Sequence, residues 1–186
     1  ARRTGEGELP LDEKSLAQLQ GEILGQDRAL EHLGLRQSPV FVGETSRQQE
    51  VVHYVAPPAQ DVAPMLRGLA KFIDRTAGQS PVMRAAVAAF GFVYIHPLSD
   101  GNGRVQRFLL NDILRRDGVV PAPVILPVSA VISADAGERR RYDRVLDEVS
   151  GPLMTMVGPT VSFTKQPQQY PDGVSSNLVF AGQALA

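Results

Sequence analysis

The chain has 186 residues, a formal net charge of −1 and no cysteine. That length suits one domain with a real core, or one domain plus an extension. The near-neutral balance gives no broad nucleic-acid footprint, and the missing thiols exclude disulfides and thiolate metal sites, in keeping with a reducing cytoplasm. No apolar run is long enough to span a bilayer and no signal peptide is visible at the start, so no membrane partner is expected. Residues 1–10 carry Gly, Glu and Arg without a period and are expected to be a disordered or truncated end. Over residues 11–24, apolar positions 16, 19, 23 and 24 mark one face of a helix that Gly25 ends. Residues 36–42 and 51–55 are short β-runs, and the polar stretch 43–50 between them predicts a hairpin with a longer loop. By pattern alone this is a small edge hairpin.

Asp61 is expected to cap a helix that runs to about residue 77, with a core stripe at 62, 65, 66, 69, 72 and 73. Ser80 and Pro81 take the cap and first-turn positions of the next helix. That helix is apolar nearly all round, which places it at the centre of a bundle, and Pro97 stops it after His96. A further periodic run, 105–114, is closed by Gly118, with Pro121 and Pro123 enforcing the break. Residues 124–133 are apolar and β-branched and, by pattern alone, fit a strand. Asp135 with Glu138 forms a capping box, followed by a helical stripe of Tyr142, Val145, Leu146 and Val149. Arg139, Arg140, Arg141 and Arg144 are its solvated face. From Gly151 the pattern changes: 160–164 and 174–180 look like strands around a Gln/Pro-rich loop at 166–172. The end of the chain shows no closing helix, so a longer protein is expected.

The chemistry concentrates between the two apolar helices, in His96-Pro97-Leu98-Ser99-Asp100-Gly101-Asn102-Gly103-Arg104-Val105-Gln106-Arg107. Paired glycines let backbone N–H groups approach an anion, and the loop delivers that anion to the positive end of the second helix. Arg104 and Arg107 share a face in its first turn and lean back toward the loop. Two cations at a helix N-terminus are unfavourable unless an anion sits there. Asp100 suits Mg²⁺ against phosphate oxygens, and His96 takes a proton near neutral pH. Asn111 follows on the same face and serves either a nucleotide or the helix itself. His32 and His53 have no such company and are expected at the surface.

This stretch resembles the signature of the Fic family, His-x-Phe-x-(Asp/Glu)-Gly-Asn-Gly-Arg-x-x-Arg, and departs from it only at Leu98, where the family has Phe. The Tyr54-Val55-Ala56-Pro57-Pro58 segment is similar to the family's Tyr-x-Pro-Pro stretch. The resemblance implies a mainly α fold, a Fic-type helical bundle with a β-hairpin flap over 36–55. It covers a catalytic domain at 11–149 and runs out there; the strand-like runs that follow make 150–186 a β-containing C-terminal extension. It also implies that residues 124–133 lead into a further helix. The implied activity is transfer of AMP from ATP to a hydroxyl side chain of a protein bound along the flap. His96 would be the base, Asp100 the Mg²⁺ ligand, and Gly101, Asn102 and Gly103 the cradle of the α- and β-phosphates. Arg104 and Arg107 would hold the outer phosphates, Leu98 would anchor the loop, and Tyr142 is either an adenine neighbour or a core tyrosine. A Gly-Asn-Gly-Arg turn resembles the adenylylating members more than the phosphorylating ones. Removal of AMP by the same site and a non-catalytic nucleotide-sensing switch stay open. Many Fic proteins carry an inhibitory helix, Ser/Thr-x-x-x-Glu-Gly/Asn, whose Glu pairs with the second motif arginine, here Arg107. The chain holds no complete copy, because Glu6-Gly7 has Arg2 where Ser or Thr belongs. The inhibitor is then expected from a missing segment, from a separate antitoxin-like protein, or not at all.

Overall fold

Asp12 sets the first helix. Its carboxylate accepts from the Ser15 amide at 3.0 Å, so α1 spans Glu13–Leu24, and Gly25, at φ 74, closes it. The computed structural model describes residues 9, 11–25, 33–46, 49–161, 163–165 and 178–180. The expected loose end, His32 and the Gln/Pro-rich loop at 166–172 lie outside the described residues, except for Leu9. The chain divides into two units: Ala1–Ser38 with Pro57–Ala130, and Pro39–Ala56 with Val131–Ala186.

In the first unit α2 spans Ala59–Arg75 and starts earlier than expected. Pro58 holds the cap position, and Asp61 instead sits in the first turn, where its charge favours the positive helix end. Its buried stripe is Val62, Leu66, Leu69 and Ile73, while Met65 faces solvent. Helix α3, Pro81–Ile95, follows Ser80 and buries Ala85, Ala88, Ala89, Phe92 and Ile95. Only part of it is central: Val82 and Met83, in its first turn, are 63% and 62% exposed, which corrects the expectation of a helix buried all round. Helix α4, Asn102–Arg116, buries Val105, Leu109, Ile113 and Leu114, and Gly118, at φ 75, follows its end. Leu16, Leu66, Phe92, Leu98 and Leu109 meet in one core. Each such buried side chain contributes about 1.5–3 kcal/mol. After α4 the apolar run forms no strand. Pro121, Pro123 and Pro127 remove ladder donors, and the chain stays irregular until α5, Val128–Ala134.

In the second unit β1, Phe41–Ser46, pairs antiparallel with β2, Gln49–Val55, from Phe41↔Val55 to Ser46↔Gln49. The strands therefore lie further along than expected: 36–40 are not strand, and most of the polar stretch taken as loop is. The ladder is a backbone bond pattern, so polar residues carry it as well as apolar ones. A bulge falls at Val42/Gly43, where a Cβ on Gly43 would collide with the Val51 carbonyl oxygen. Helix α6, Ala136–Val157, opens on Asp135, whose carboxylate accepts from the amides of Gly137 and Glu138. Glu138 turns to Arg141 at 2.6 Å and does not close the expected box. The helix continues through Gly151 and Pro152, past the expected change of pattern, and packs against β2, with the Val55 amide donating to Met154 Sδ at 3.2 Å. Val145 and Val149 are exposed, so the expected stripe is only half-buried at Tyr142 and Leu146, and the arginines around it are solvated as expected. A 3-10 turn, Gly158–Thr160, leads to β3, Phe163–Lys165, paired antiparallel with β4, Leu178–Phe180. Among the described residues no helix is long and apolar enough to cross a membrane.

Candidate active site

Three devices give the loop between α3 and α4 its shape. His96 ends α3 in the left-handed region, φ 48 and ψ 57, the only non-glycine residue at positive φ among the described residues. Leu98, fully buried, pins the loop to the core, so the smaller side chain still anchors it. Asn102 closes the turn: its Oδ1 accepts from the Leu98 amide at 2.9 Å and its Nδ2 donates to the Leu98 carbonyl at 2.7 Å. Gly101, at φ 89, then starts α4. The side chain of Asn102 is thus committed to the turn, and what it offers an anion is its backbone amide. Within a helix the first amides have no acceptor, and here those of Asn102 and Gly103 open α4, while the amides of Arg104 and Val105 reach back to the Gly101 carbonyl.

Two stretches from outside the motif hold the loop. Gln20, on the buried face of α1, donates to the Asp100 carbonyl at 2.9 Å and accepts from the Gly34 amide at 2.8 Å. Leu35 forms a bridge with Leu98, and the Arg36 amide donates to the Pro97 carbonyl at 2.9 Å. The Arg36 side chain, 1% exposed, adds a bond from Nε to the His96 carbonyl at 2.7 Å.

His96 Nδ1 lies 3.2 Å from the Val93 carbonyl. A carbonyl only accepts, so the proton of the neutral ring sits on Nδ1 and Nε2 keeps a free lone pair. Burial pushes the imidazole below its ordinary 6.5, the Val93 carbonyl pulls it up, and the positive charge of Arg36 pushes it down again, with a net lowering. The ring is therefore neutral, and ready to accept a proton, at neutral pH. Asp100 is half-buried, with Oδ1 accepting from the Gly101 amide at 2.6 Å. Among the described residues no cluster of three metal-binding side chains forms. One carboxylate beside the amides that open α4 is a donor set of the kind Mg²⁺ accepts, since that ion keeps most of its shell as water and phosphate.

Arg107 is half-buried and folds back over the turn: its Nη1 lies 3.4 Å from where a Cβ on Gly103 would stand. Arg104 is exposed. Arg107, Phe108 and Asn111 line one side of a cavity of about 340 Å³, and the irregular 125–127 segment and the start of α5 line the other. Asn111 builds that wall: its Oδ1 accepts from the Leu126 amide at 2.8 Å and its Nδ2 donates to the Arg107 carbonyl at 3.0 Å. Tyr142 belongs to the second unit, half-buried on α6. His53 is exposed, as expected. The motif spacing gave no sign of Gln20, Arg36, Phe108 or the 125–130 wall. Gln20 alone left a trace, as a polar residue one turn after Leu16 on the apolar face of α1.

The helical core presents an amide-lined turn, a neutral histidine and a returning arginine together at one helix start. The Fic/DOC family model matches residues 10–114, and the chain belongs to that family. Its relatives include the protein adenylyltransferase fic-1 of Caenorhabditis briggsae, 33% identical over 121 residues, which are 65% of this chain and 22% of that protein. The fic-1 of Caenorhabditis elegans is similar to the same extent, 33% over 121 residues, again 65% of this chain and 22% of that protein. The protein adenylyltransferase Fic of Drosophila ananassae is 32% identical over 116 residues, 61% of this chain and 21% of that protein. The chain spans about a fifth of the length of these curated relatives.

Proposed function

We propose that the chain transfers AMP from ATP to a Ser, Thr or Tyr hydroxyl of another protein and releases pyrophosphate. The observation that carries this reading is the pairing of a tautomer-fixed His96 with the amide-lined start of α4 on one loop. The names of the relatives support it as well. His96 Nε2 accepts the hydroxyl proton as the oxygen attacks the α-phosphorus. The amides of Asn102 and Gly103 offset charge on the non-bridging oxygens, Gly101 gives the chain its left-handed turn into the helix, and Arg104 and Arg107 hold the outer phosphates. Mg²⁺, when bound with the nucleotide, would be held by Asp100 and would neutralise phosphate charge. The cavity beside Arg107, walled by Phe108, Ile125 and Leu126, suits the adenosine end, because a flat heterocycle gains most from apolar walls. The target segment adds to the hairpin of β1 and β2 by backbone pairing. An inhibitory glutamate supplied by another segment or an antitoxin-like partner would compete for Arg107. The full chain should be incubated with a lysate and ATP labelled at either the α- or the γ-phosphate. Label retained on protein from the α-position alone supports AMP transfer. Label from the γ-position instead, or none from either, rejects it.

A further inference from the structure

We propose that Arg36 is a positioning residue for this reaction: its guanidinium fixes the backbone of the base, His96, to the two points where the chain leaves for the hairpin and returns from it. The proposal rests on the AMP-transfer reading, with His96 as base. Nε donates to the His96 carbonyl at 2.7 Å, Nη1 to the Ser38 carbonyl at 3.0 Å, and Nη2 to the Pro57 carbonyl at 2.5 Å and the Ile95 carbonyl at 3.5 Å. Ser38 precedes the segment that carries β1, and Pro57 follows the one that carries β2.

A buried guanidinium is costly unless its donors are met, and here they face carbonyl oxygens. Those of Ile95 and His96 belong to the last turn of α3, the end that carries partial negative charge. His96 has turned its own carbonyl off the helix by entering the left-handed region. Without that donor the part-buried carbonyl would lose its partner, so the Arg36 fork supports the left-handed pose. That pose in turn sets the ring against the Val93 carbonyl and leaves Nε2 as acceptor. The same planar group thereby holds the base and both roots of the strand pair on which the target lies. Lysine keeps the charge but has no planar fork to reach these oxygens together, so Arg36→Lys separates geometry from charge.

The full chain is compared with Arg36→Lys in two ways. Nitrogen NMR of labelled histidine should show the His96 ring as the Nδ1–H tautomer in the wild type and as a mixture in the variant. Steady-state transfer from α-labelled ATP into lysate protein should fall about 10- to 100-fold in kcat, the scale of a small misplacement of reacting groups, with KM for ATP unchanged. An unchanged tautomer with wild-type transfer per folded molecule makes Arg36 an ordinary core charge and overturns the proposal. So does a loss that appears wholly in the KM for ATP. A wild type that transfers nothing defeats the AMP-transfer reading, and the tautomer comparison still decides whether Arg36 positions His96. If the variant does not fold, the Arg36 Nε–H signal of the wild type decides. It should shift as His96 titrates, and a signal indifferent to that titration overturns the proposal.

Discussion

Two buried arginines cap two helix ends in the first unit, and they differ in what they hold. Arg84, at the start of α3, donates from Nη2 to the Ile73 carbonyl at 2.8 Å, from Nε to Thr76 Oγ1 at 3.2 Å, and from Nη1 to the Asp117 carboxylate. It ties the end of α2 to the end of α4, with a carboxylate to answer its charge. Arg36 ties the end of α3 to the residues flanking the hairpin through the carbonyl oxygens of His96, Ser38 and Pro57. The first arrangement is a staple between helices. The second holds the backbone of His96, the base in the proposed reaction. Similar burial and similar acceptors therefore do not imply a similar role; what decides it is the position of the carbonyl at the other end of the fork.

The largest effect expected is at the histidine itself. His96→Ala should lower transfer about 10²–10⁴-fold, the usual worth of general-base help, while calorimetric titration still shows ATP binding. Near-wild-type transfer would remove His96 from the mechanism and leave the two arginines alike. Asp117→Ala sharpens the other arm. It leaves Arg84 without its carboxylate and should cost on the order of 3 kcal/mol in denaturant melts, with transfer per folded molecule unchanged; a kinetic defect in folded Asp117→Ala would erase the distinction. Gln20→Leu lies between the two, because it strips the buried Gly34 amide and Asp100 carbonyl of their partner. A loss of about 1–3 kcal/mol is expected, together with slower transfer, since Asp100 is carried by that loop. A variant that melts earlier but transfers normally would class Gln20 with Arg84.

The acid side gives a smaller effect. Burial first, and then Arg36, hold the His96 pKa below its ordinary 6.5 in the folded chain. The unfolded chain therefore binds the proton more readily. The stability contributed by keeping His96 neutral is fully present above 6.5 and is lost as pH falls toward the folded value. Wild type should lose stability on acidification faster than His96→Gln over that window, and transfer should keep its plateau to below 6.5. Parallel melting curves for the two proteins would refute the sign. The smallest effect is at Ser80, which occupies the cap of α3 without a side-chain bond. Ser80→Ala should change the melting free energy by less than about 0.5 kcal/mol, against about 1 kcal/mol for a bonded cap.

The candidate residues of the loop could be singled out in the sequence because they stand at fixed local spacing: His96, Asp100, the glycines and Arg107 lie within a dozen positions. The helices of the first unit were legible because their apolar stripes face one core. Arg36 was not, since nothing beside it in sequence says that it is buried; as a residue before a β-run it passes for the start of a strand. Its partners Ser38, Pro57 and His96 come from separate parts of the chain. The strand limits were displaced because backbone pairing leaves no mark on polar side chains. Helix α6 outran its reading because Gly151 and Pro152 break helices by local preference, and Pro152 does not end this one.

The left-handed His96 carries a consequence for how this chain would change under selection. A residue with a Cβ bears roughly 1–2 kcal/mol of strain in that region, which glycine does not. Stability and the proposed chemistry therefore ask for different side chains at one position, and the chemically silent answer is the conformationally easier one. A library of this chain screened only for heat resistance should tolerate His96→Gly better than glycine at an equally buried right-handed position, because relief of the backbone offsets part of the packing lost with the ring. Thermostable clones recovered without an activity screen would then include inactive ones, and the defect would be invisible in their melting curves.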